Sequence, residues 1–250
     1  MENSSKTRIV VLAGGKGTRM KSELPKALAS LHGKPLVKHL LDSVDQAGID
    51  ERPIVVVGYR RDLVMQELGD KYEYAVQEEQ LGTGHAVLAA KEACGDAENI
   101  IVISGDQPFI TPDTIKNLLR KHIESNATLT ITTAVLPDFE DWRKGFTMYG
   151  RILRQGDKII DREYRDATEE EKKIKEVNVS CFAFKASWLW ENLQKIDREK
   201  NVQNEYYLTD LWEETSATNE KIGSIEVNPR EALGANSKEE LEILEKVGRI

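Results

Sequence analysis

Two cations follow closely on a glycine-rich run: Arg19 and Lys26 come after Leu12-Ala13-Gly14-Gly15-Lys16-Gly17-Thr18. The backbone N–H groups of a glycine turn can close around an anion, and an arginine and a lysine beside them add positive charge. The combination is suited to a phosphate chain, with Pro25 stiffening the loop just before Lys26. Two familiar phosphate loops do not fit. The GxxxxGK[ST] loop places its lysine after the last glycine, whereas Lys16 lies between Gly15 and Gly17. The dinucleotide fingerprint requires a third glycine where this chain has Met20. The competing reading is a plain glycine turn with Arg19 in a surface ion pair.

Other residues could join this chemistry. Asp106 closes the apolar run Ile100 to Ser104, where a carboxylate can hold magnesium through oxygen or simply shape the turn before Pro108. Asn236, just before a C-terminal helical pattern, reads by itself as a helix cap. His32, His39, His85 and His122 show no metal-ligand spacing and are read as structural. Trp188, Trp190 and Trp212 suit packing better than base stacking.

The elements that must position these residues alternate. The apolar run Arg8 to Leu12 reads as a buried parallel strand leading into the glycine loop. Helix Lys34 to Ala47 and strand Pro53 to Val57 follow, then helix Arg60 to Leu68 and strand Tyr72 to Val76. Next come helix Gly84 to Ala93, strand Asn99 to Ser104, helix Pro112 to Glu124 and strand Ala127 to Ala134. Such alternation predicts an α/β fold: a mixed, mostly parallel sheet with helices on both faces, binding ligands at the carboxyl ends of its strands. The glycine loop, Gln77 and Asp106 all follow strand ends and so share one rim. From Leu136 to about Lys175 the regularity fails, which predicts a small short-stranded lobe. Strand Glu176 to Ala183, helices Lys185 to Leu193 and Tyr206 to about Asn219, strand Ser224 to Val227 and helix Ser237 to Val247 complete the reading, the last opened by a capping box. We expect one domain over 1–250, with two halves that meet near residue 135.

Composition narrows the class. The chain has 250 residues, 40% hydrophobic and 31% charged, and a net charge of −8. An acidic balance disfavours non-specific nucleic-acid binding, which needs a basic surface. Cys94 and Cys181 form neither a metal pair nor a disulfide framework, which predicts core thiols and a reducing cytoplasm. The polar start MENSSKTR and the short apolar run after it predict no signal peptide and no membrane span.

The stretch LAGGKGTRMKSELPKAL resembles the signature of sugar-nucleotide pyrophosphorylases, whose fold is that of the nucleotide-diphospho-sugar transferases, a Rossmann-like one. Four further segments make the chain similar to the N-acetylglucosamine-1-phosphate uridyltransferase group: Gln77 to Ala86, Gly105-Asp106, Tyr149 to Ile152 and Asn204 to Asp210. The resemblance covers nearly the whole chain and implies that the half to about 135 binds the nucleotide and the half from about 136 the sugar. It implies a nucleotidyltransferase making a UDP-sugar from UTP and a sugar 1-phosphate, with Mg2+ as cofactor and small molecules as partners. It implies Arg19 and Lys26 on the triphosphate and the transferring phosphate. Leu12, Ala13, Gly14, Gly15, Gly17 and Thr18 would hold the nucleotide, while Gln77, Gly82 and Thr83 would read uracil. Gly150, Glu163, Asn178 and Tyr207 would contact the sugar, and Asp106 with Asn236 would hold the metal. The hexapeptide repeats of the bifunctional relatives are missing from these residues, so their acetyltransferase activity is not expected.

Two features depart from that group. Val179 and Ser180 follow Asn178 where threonine and glycine are usual, and Phe139 to Lys144 makes a longer segment before Tyr149. They keep open the same chemistry on another hexose 1-phosphate. A catalytically silent nucleotide-binding subunit is the rival from another class, opposed by the joint presence of Arg19, Lys26 and Asp106.

Overall fold

The computed structural model describes residues 6–20, 22–156, 158–200, 203–212, 215 and 220–248. Its strands are β1 (Thr7–Leu12), β2 (Ser30–Leu31), β3 (Lys34–Pro35), β4 (Ile54–Val57), β5 (Glu73–Val76), β6 (Asn99–Ser104), β7 (Leu129–Val135), β8 (Arg151–Gln155), β9 (Lys158–Arg162), β10 (Glu176–Lys185) and β11 (Ile222–Glu226). Nine of them form one sheet in the order β11-β7-β10-β6-β1-β4-β5, with β8 paired to β10 and to β9; β2 and β3 form a separate hairpin. β6, β1, β4 and β5 run parallel, as do β7 and β11. β10 runs antiparallel between β6 and β7, so the sheet is mixed and mostly parallel, as expected.

The helices are α1 (Leu36–Ala47), α2 (Arg61–Leu68), α3 (Thr83–Ala89), α4 (Lys91–Cys94), α5 (Pro112–Glu124), α6 (Ala186–Asn192) and α7 (Lys238–Val247). Among the described residues none is long and apolar enough to cross a membrane. The two-residue period of the strands divides the interior into two cores. Ile9 and Val11 of β1 meet Leu40 of α1, Leu118 of α5 and Leu244 of α7 on one face. Val10 joins Val87 of α3, Leu189 of α6 and Trp212 on the other. Strands covered on both faces need apolar side chains on both, which is why the central runs read as continuous hydrophobic stretches. Cys94 and Cys181 lie in these cores, and burial pushes both thiols up to about 12.

Several boundaries move by a few residues, as at α1, which begins at Leu36 because Lys34–Pro35 pair in β3, and three larger departures have a visible cause. The helix expected over Gly84 to Ala93 tightens at Ala90, whose N–H bonds to Val87 O at 3.0 Å, and this divides α3 from α4. The helix expected from Tyr206 starts later, at the turn Leu208–Asp210, with Leu211, Trp212 and Thr215 helical; its other expected positions lie outside the described residues. Tyr206 is withheld from the helix because its N–H bonds Leu81 O and its carbonyl accepts from Gly84 N, both at 2.8 Å. At α7 the capping box is half formed. Ser237 Oγ accepts from Glu240 N, but the Glu240 carboxylate takes the N–H of Asn236 at 2.5 Å instead of that of Ser237.

The register of β10 against β7 shifts between Asn178 and Phe182, and Ser180 within that bulge has φ +46. Left-handed backbone suits glycine and strains other residues by about 1 kcal/mol, so a glycine preference there has a backbone cause. Ser180→Gly is therefore expected to raise the thermal midpoint by roughly 2 °C, glycine's entropy offsetting part of the relief, and Ser180→Val to lower it by several degrees. Scanning calorimetry on the three proteins checks this order.

Candidate active site

The glycine loop leaves the carboxyl end of β1 and is held by its neighbours. Leu12 O accepts from Gly105 N at 2.9 Å, Ala13 N donates to Val56 O at 2.8 Å and Gly14 O accepts from Tyr59 N at 3.0 Å. At Gly17, φ is +65 and a Cβ would lie 2.7 Å from Lys26 Cβ, so only glycine lets the loop approach Lys26 this closely. Gly15, Lys16, Thr18 and Arg19 face solvent, with the Lys16 ammonium over the Tyr59 ring at 5.3 Å.

Lys26 Nζ donates to Asp106 Oδ2 and to Asn236 Oδ1, both at 2.9 Å. This contact joins the glycine loop, the end of β6 and the segment before α7. It bears on both competing readings of the metal candidates. Asn236 does not cap α7, because Ser237 does, and the carboxylate of Asp106 is directed to Lys26. Two hard oxygens already converge on one cation here, so a divalent ion fits the donor set. Among the described residues no group of three or more His, Cys, Asp or Glu side chains could hold a metal. An ion at this place would take the rest of its shell from phosphate oxygens and water, which is the habit of Mg2+.

Two clefts meet at this point. The first, about 330 Å³, is lined by Leu12, Gly14, Gly15, Gly17, Thr18, Gln77, Gly82 and Thr83, together with Lys26, Asp106 and Glu205. All the expected nucleotide residues line it except Ala13, which is buried and contributes its backbone hydrogen bond. Gln77 is buried, its amide nitrogen 3.1 Å from Gly82 O and 3.2 Å from His85 Nδ1. The imidazole thus fixes the amide's orientation, a role that the spacing of His85 did not signal. At Gly82, φ is +117 and a Cβ would fall 2.5 Å from Tyr206 O. Thr83 Oγ1 accepts from Leu208 N at 2.9 Å, so residues 206–208 clamp this turn.

The second cleft, about 140 Å³, is lined by Arg19, Tyr149, Glu163, Arg165, Gln203, Tyr207 and Asn236, among others. Arg19 thus lines this cleft and not the one around the glycine loop, and among the described residues it forms no ion pair. Glu163 and Tyr207 line the cleft as expected. Gly150 and Asn178 are not among its lining residues, and both meet Asp161: a Cβ on Gly150 would sit 2.5 Å from Asp161 Oδ1, and Asn178 Nδ2 donates to Asp161 Oδ2 at 3.1 Å. Asn178 Oδ1 accepts from Ser180 N at 2.8 Å, and the Val179 side chain is fully buried. The departure from threonine and glycine is therefore taken up by the core and the bulge. Asp161 was not legible as a site residue: its pairing with Ile152 across the β8–β9 hairpin brings it to Asn178.

Burial raises the Glu163 carboxyl to about 7, with the Asp166 charge adding to the effect. Burial and the charge of Glu163 push Asp161 well above its usual range. Between the ordinary carboxyl value of 4.5 and about 7, the folded chain holds a proton on Glu163 that the unfolded chain has lost. Stability therefore falls as pH rises through that window. Glu163→Gln should show a smaller loss of Tm than wild type between pH 5 and pH 8, and thermal scans across the range check it. An identical slope in the two proteins would remove Glu163 as its source.

With this geometry in view, comparisons with known proteins place the chain. Residues 9–153 match the family of the MobA-like NTP transferase domain. A bifunctional protein GlmU of Desulfitobacterium hafniense is 45% identical over 242 residues, covering 96% of this chain and 51% of the relative. That of Halalkalibacterium halodurans is 41% identical over 242 residues, covering 95% and 51%. The chain thus spans about half the length of the curated relatives it matches. A crystal structure of a Bacillus anthracis protein assigned the name glucose-1-phosphate thymidylyltransferase, in complex with a sucrose, superposes with a TM-score of 0.74 at 17% identity. It covers 97% of this chain and 95% of that one, and shows the fold. The chain belongs to the MobA-like NTP transferase family of nucleotidyltransferases.

Proposed function

We propose that this chain transfers a uridylyl group from UTP to a sugar 1-phosphate, with N-acetylglucosamine 1-phosphate as the acceptor and Mg2+ as the metal. The observation that carries the reading is the Lys26 ammonium between Asp106 and Asn236 at the meeting point of the two clefts. Similarity to the GlmU relatives supports the choice of UTP and of the acceptor.

In this reading a phosphate oxygen of the sugar 1-phosphate attacks the α-phosphorus of UTP, and the bond to pyrophosphate breaks as the new P–O bond forms. The nucleophile is already an anion, so no general base is needed. The protein's task is to hold two polyanions in line and balance the charge that accumulates between them. Lys26 sits where both phosphates converge, Arg19 reaches from the acceptor wall, and the glycine-loop amides hold the outer phosphates. A magnesium ion held by Asp106 Oδ2 and Asn236 Oδ1 would supply further neutralisation of phosphate oxygens. Gln77, oriented by His85, and the Gly82-Thr83 backbone form the base wall; a wrong base edge there leaves buried polar groups unpaired.

A pyrophosphate-release assay with a panel of nucleotides and acceptors tests the reading. UTP should be used far better than CTP, and N-acetylglucosamine 1-phosphate better than glucose 1-phosphate. Equal use of CTP would sink the base assignment, and a preference for glucose 1-phosphate the acceptor assignment. Arg19→Ala and Lys26→Ala should each lower kcat roughly a hundredfold or more, the scale of losing one stabiliser of transition-state charge. Chelation should abolish turnover and magnesium restore it, with Asp106→Asn needing more metal; full activity in chelator would remove the metal from the reaction.

A further inference from the structure

Tyr149 spends both hydrogen-bonding capacities of its hydroxyl on the segment that carries Asn236: it donates to Ala232 O at 3.1 Å and accepts from Gly234 N at 2.8 Å. The segment is tied again by Ala235 N to Asp106 O at 3.2 Å and by Asn236 N to Glu240 Oε2 at 2.5 Å. There is little slack, since a Cβ on Gly234 would lie 3.1 Å from the Tyr149 hydroxyl and 3.2 Å from Asp106 O. The tyrosine ring is itself held. Phe146 packs edge-on against it with centroids 4.9 Å apart, and Trp142 does the same to Phe146 at 6.2 Å. The buried guanidinium of Arg151 donates to the carbonyls of Phe146, Thr147 and Tyr149. Arg230, from the loop that leads to Asn236, lies over the Trp142 ring at 5.8 Å. Trp142 brings the longer segment before Tyr149 into this support.

We propose that Tyr149 is a positioning residue: it holds Asn236 so that the carboxamide oxygen shares a cation with Asp106, and the turn Asp141–Phe146 is the buttress that keeps the tyrosine in place. An asparagine side chain is short, so a loop displaced by about 1 Å takes its oxygen out of reach of the shared cation. The inference rests on the proposed function for its metal and nucleotide readouts.

Tyr149→Phe keeps the ring packing and removes both hydrogen bonds. In calorimetric titrations with UTP across magnesium concentrations, it should raise the magnesium needed for half-maximal binding roughly fivefold, the scale of one lost hydrogen bond. Asn236→Ala should shift it in the same direction, and the double variant should be no worse than Asn236→Ala alone. Tyr149 also lines the second cleft, but phenylalanine keeps the ring there, so in Tyr149→Phe the acceptor KM should move less than the magnesium requirement. Trp142→Ala should reproduce the magnesium shift more weakly, and it serves if Tyr149→Phe does not fold. Additive effects in the double variant, or a raised acceptor KM with unchanged magnesium dependence, would overturn the proposal; the latter would make Tyr149 a sugar contact. Hydrogen exchange at the Ala235 and Asn236 amides gives a readout without nucleotide. It should quicken in Tyr149→Phe, and unchanged exchange would overturn the positioning role. Wild type without metal-dependent UTP binding would instead sink the proposed function and leave the exchange result to decide this one.

Discussion

The contact on which the site depends is a single ammonium group between two oxygens. Lys26 reaches Asp106 and Asn236, which lie 80 and 210 residues further along the chain. The ion pair is more than half sheltered from solvent on both sides, and the carboxamide supplies a second acceptor, so screening by water is limited. Each partner is delivered by a different element: the glycine loop after β1, the end of β6 and the approach to α7. Their convergence requires the parallel register that sets β1 beside β6, with Leu12 opposite Ser104. Parallel strands bring their carboxyl ends to one edge, and that edge is where the loops can meet.

Around this point the fold uses its irregular parts as fixings. The turn Gly82-Thr83-Gly84 is gripped by residues 206–208, with Tyr206 and Tyr207 kept out of the helical turn that begins at Leu208. The β10 bulge sets Asn178 against Asp161 and Ser180, and the aromatic turn before Tyr149 steadies the approach to Asn236. Such segments gain nothing from regular hydrogen-bond ladders, so their backbone groups find partners in neighbouring loops. Short, well-paired contacts thus run between the segments that line the two clefts.

The second cleft differs from its neighbour in electrostatics. The glycine loop presents cations and amides, whereas the second cleft shelters the Glu163 carboxyl close to Asp161 and Asp166. Burial disfavours the ionised form and the neighbouring charges disfavour it further, so Glu163 holds its proton more tightly than an exposed carboxyl does. A protonated carboxyl can donate a hydrogen bond as well as accept one.

Much of this was legible in the residues themselves. Short continuous apolar runs identified β1, β4 and β6, and helical spacing with terminal signals identified α1 and α5, because burial and capping act locally. The glycine loop, Arg19, Lys26 and Asp106 were recognisable because the chemistry of phosphate binding needs those residue types at strand ends. The partners of the loop were not legible. His85 beside Gln77, Asp161 against Gly150 and Asn178, and Tyr149 under Gly234 arise from turns and hairpin registers that join residues far apart in the chain. Arg19 was legible by its place in the motif, and the path of the loop sets it in the cleft that also holds Glu163 and Tyr207. Residue type and period are local properties that a sequence carries outright. Which side chains face one another across a cleft is decided only when the whole sheet has closed.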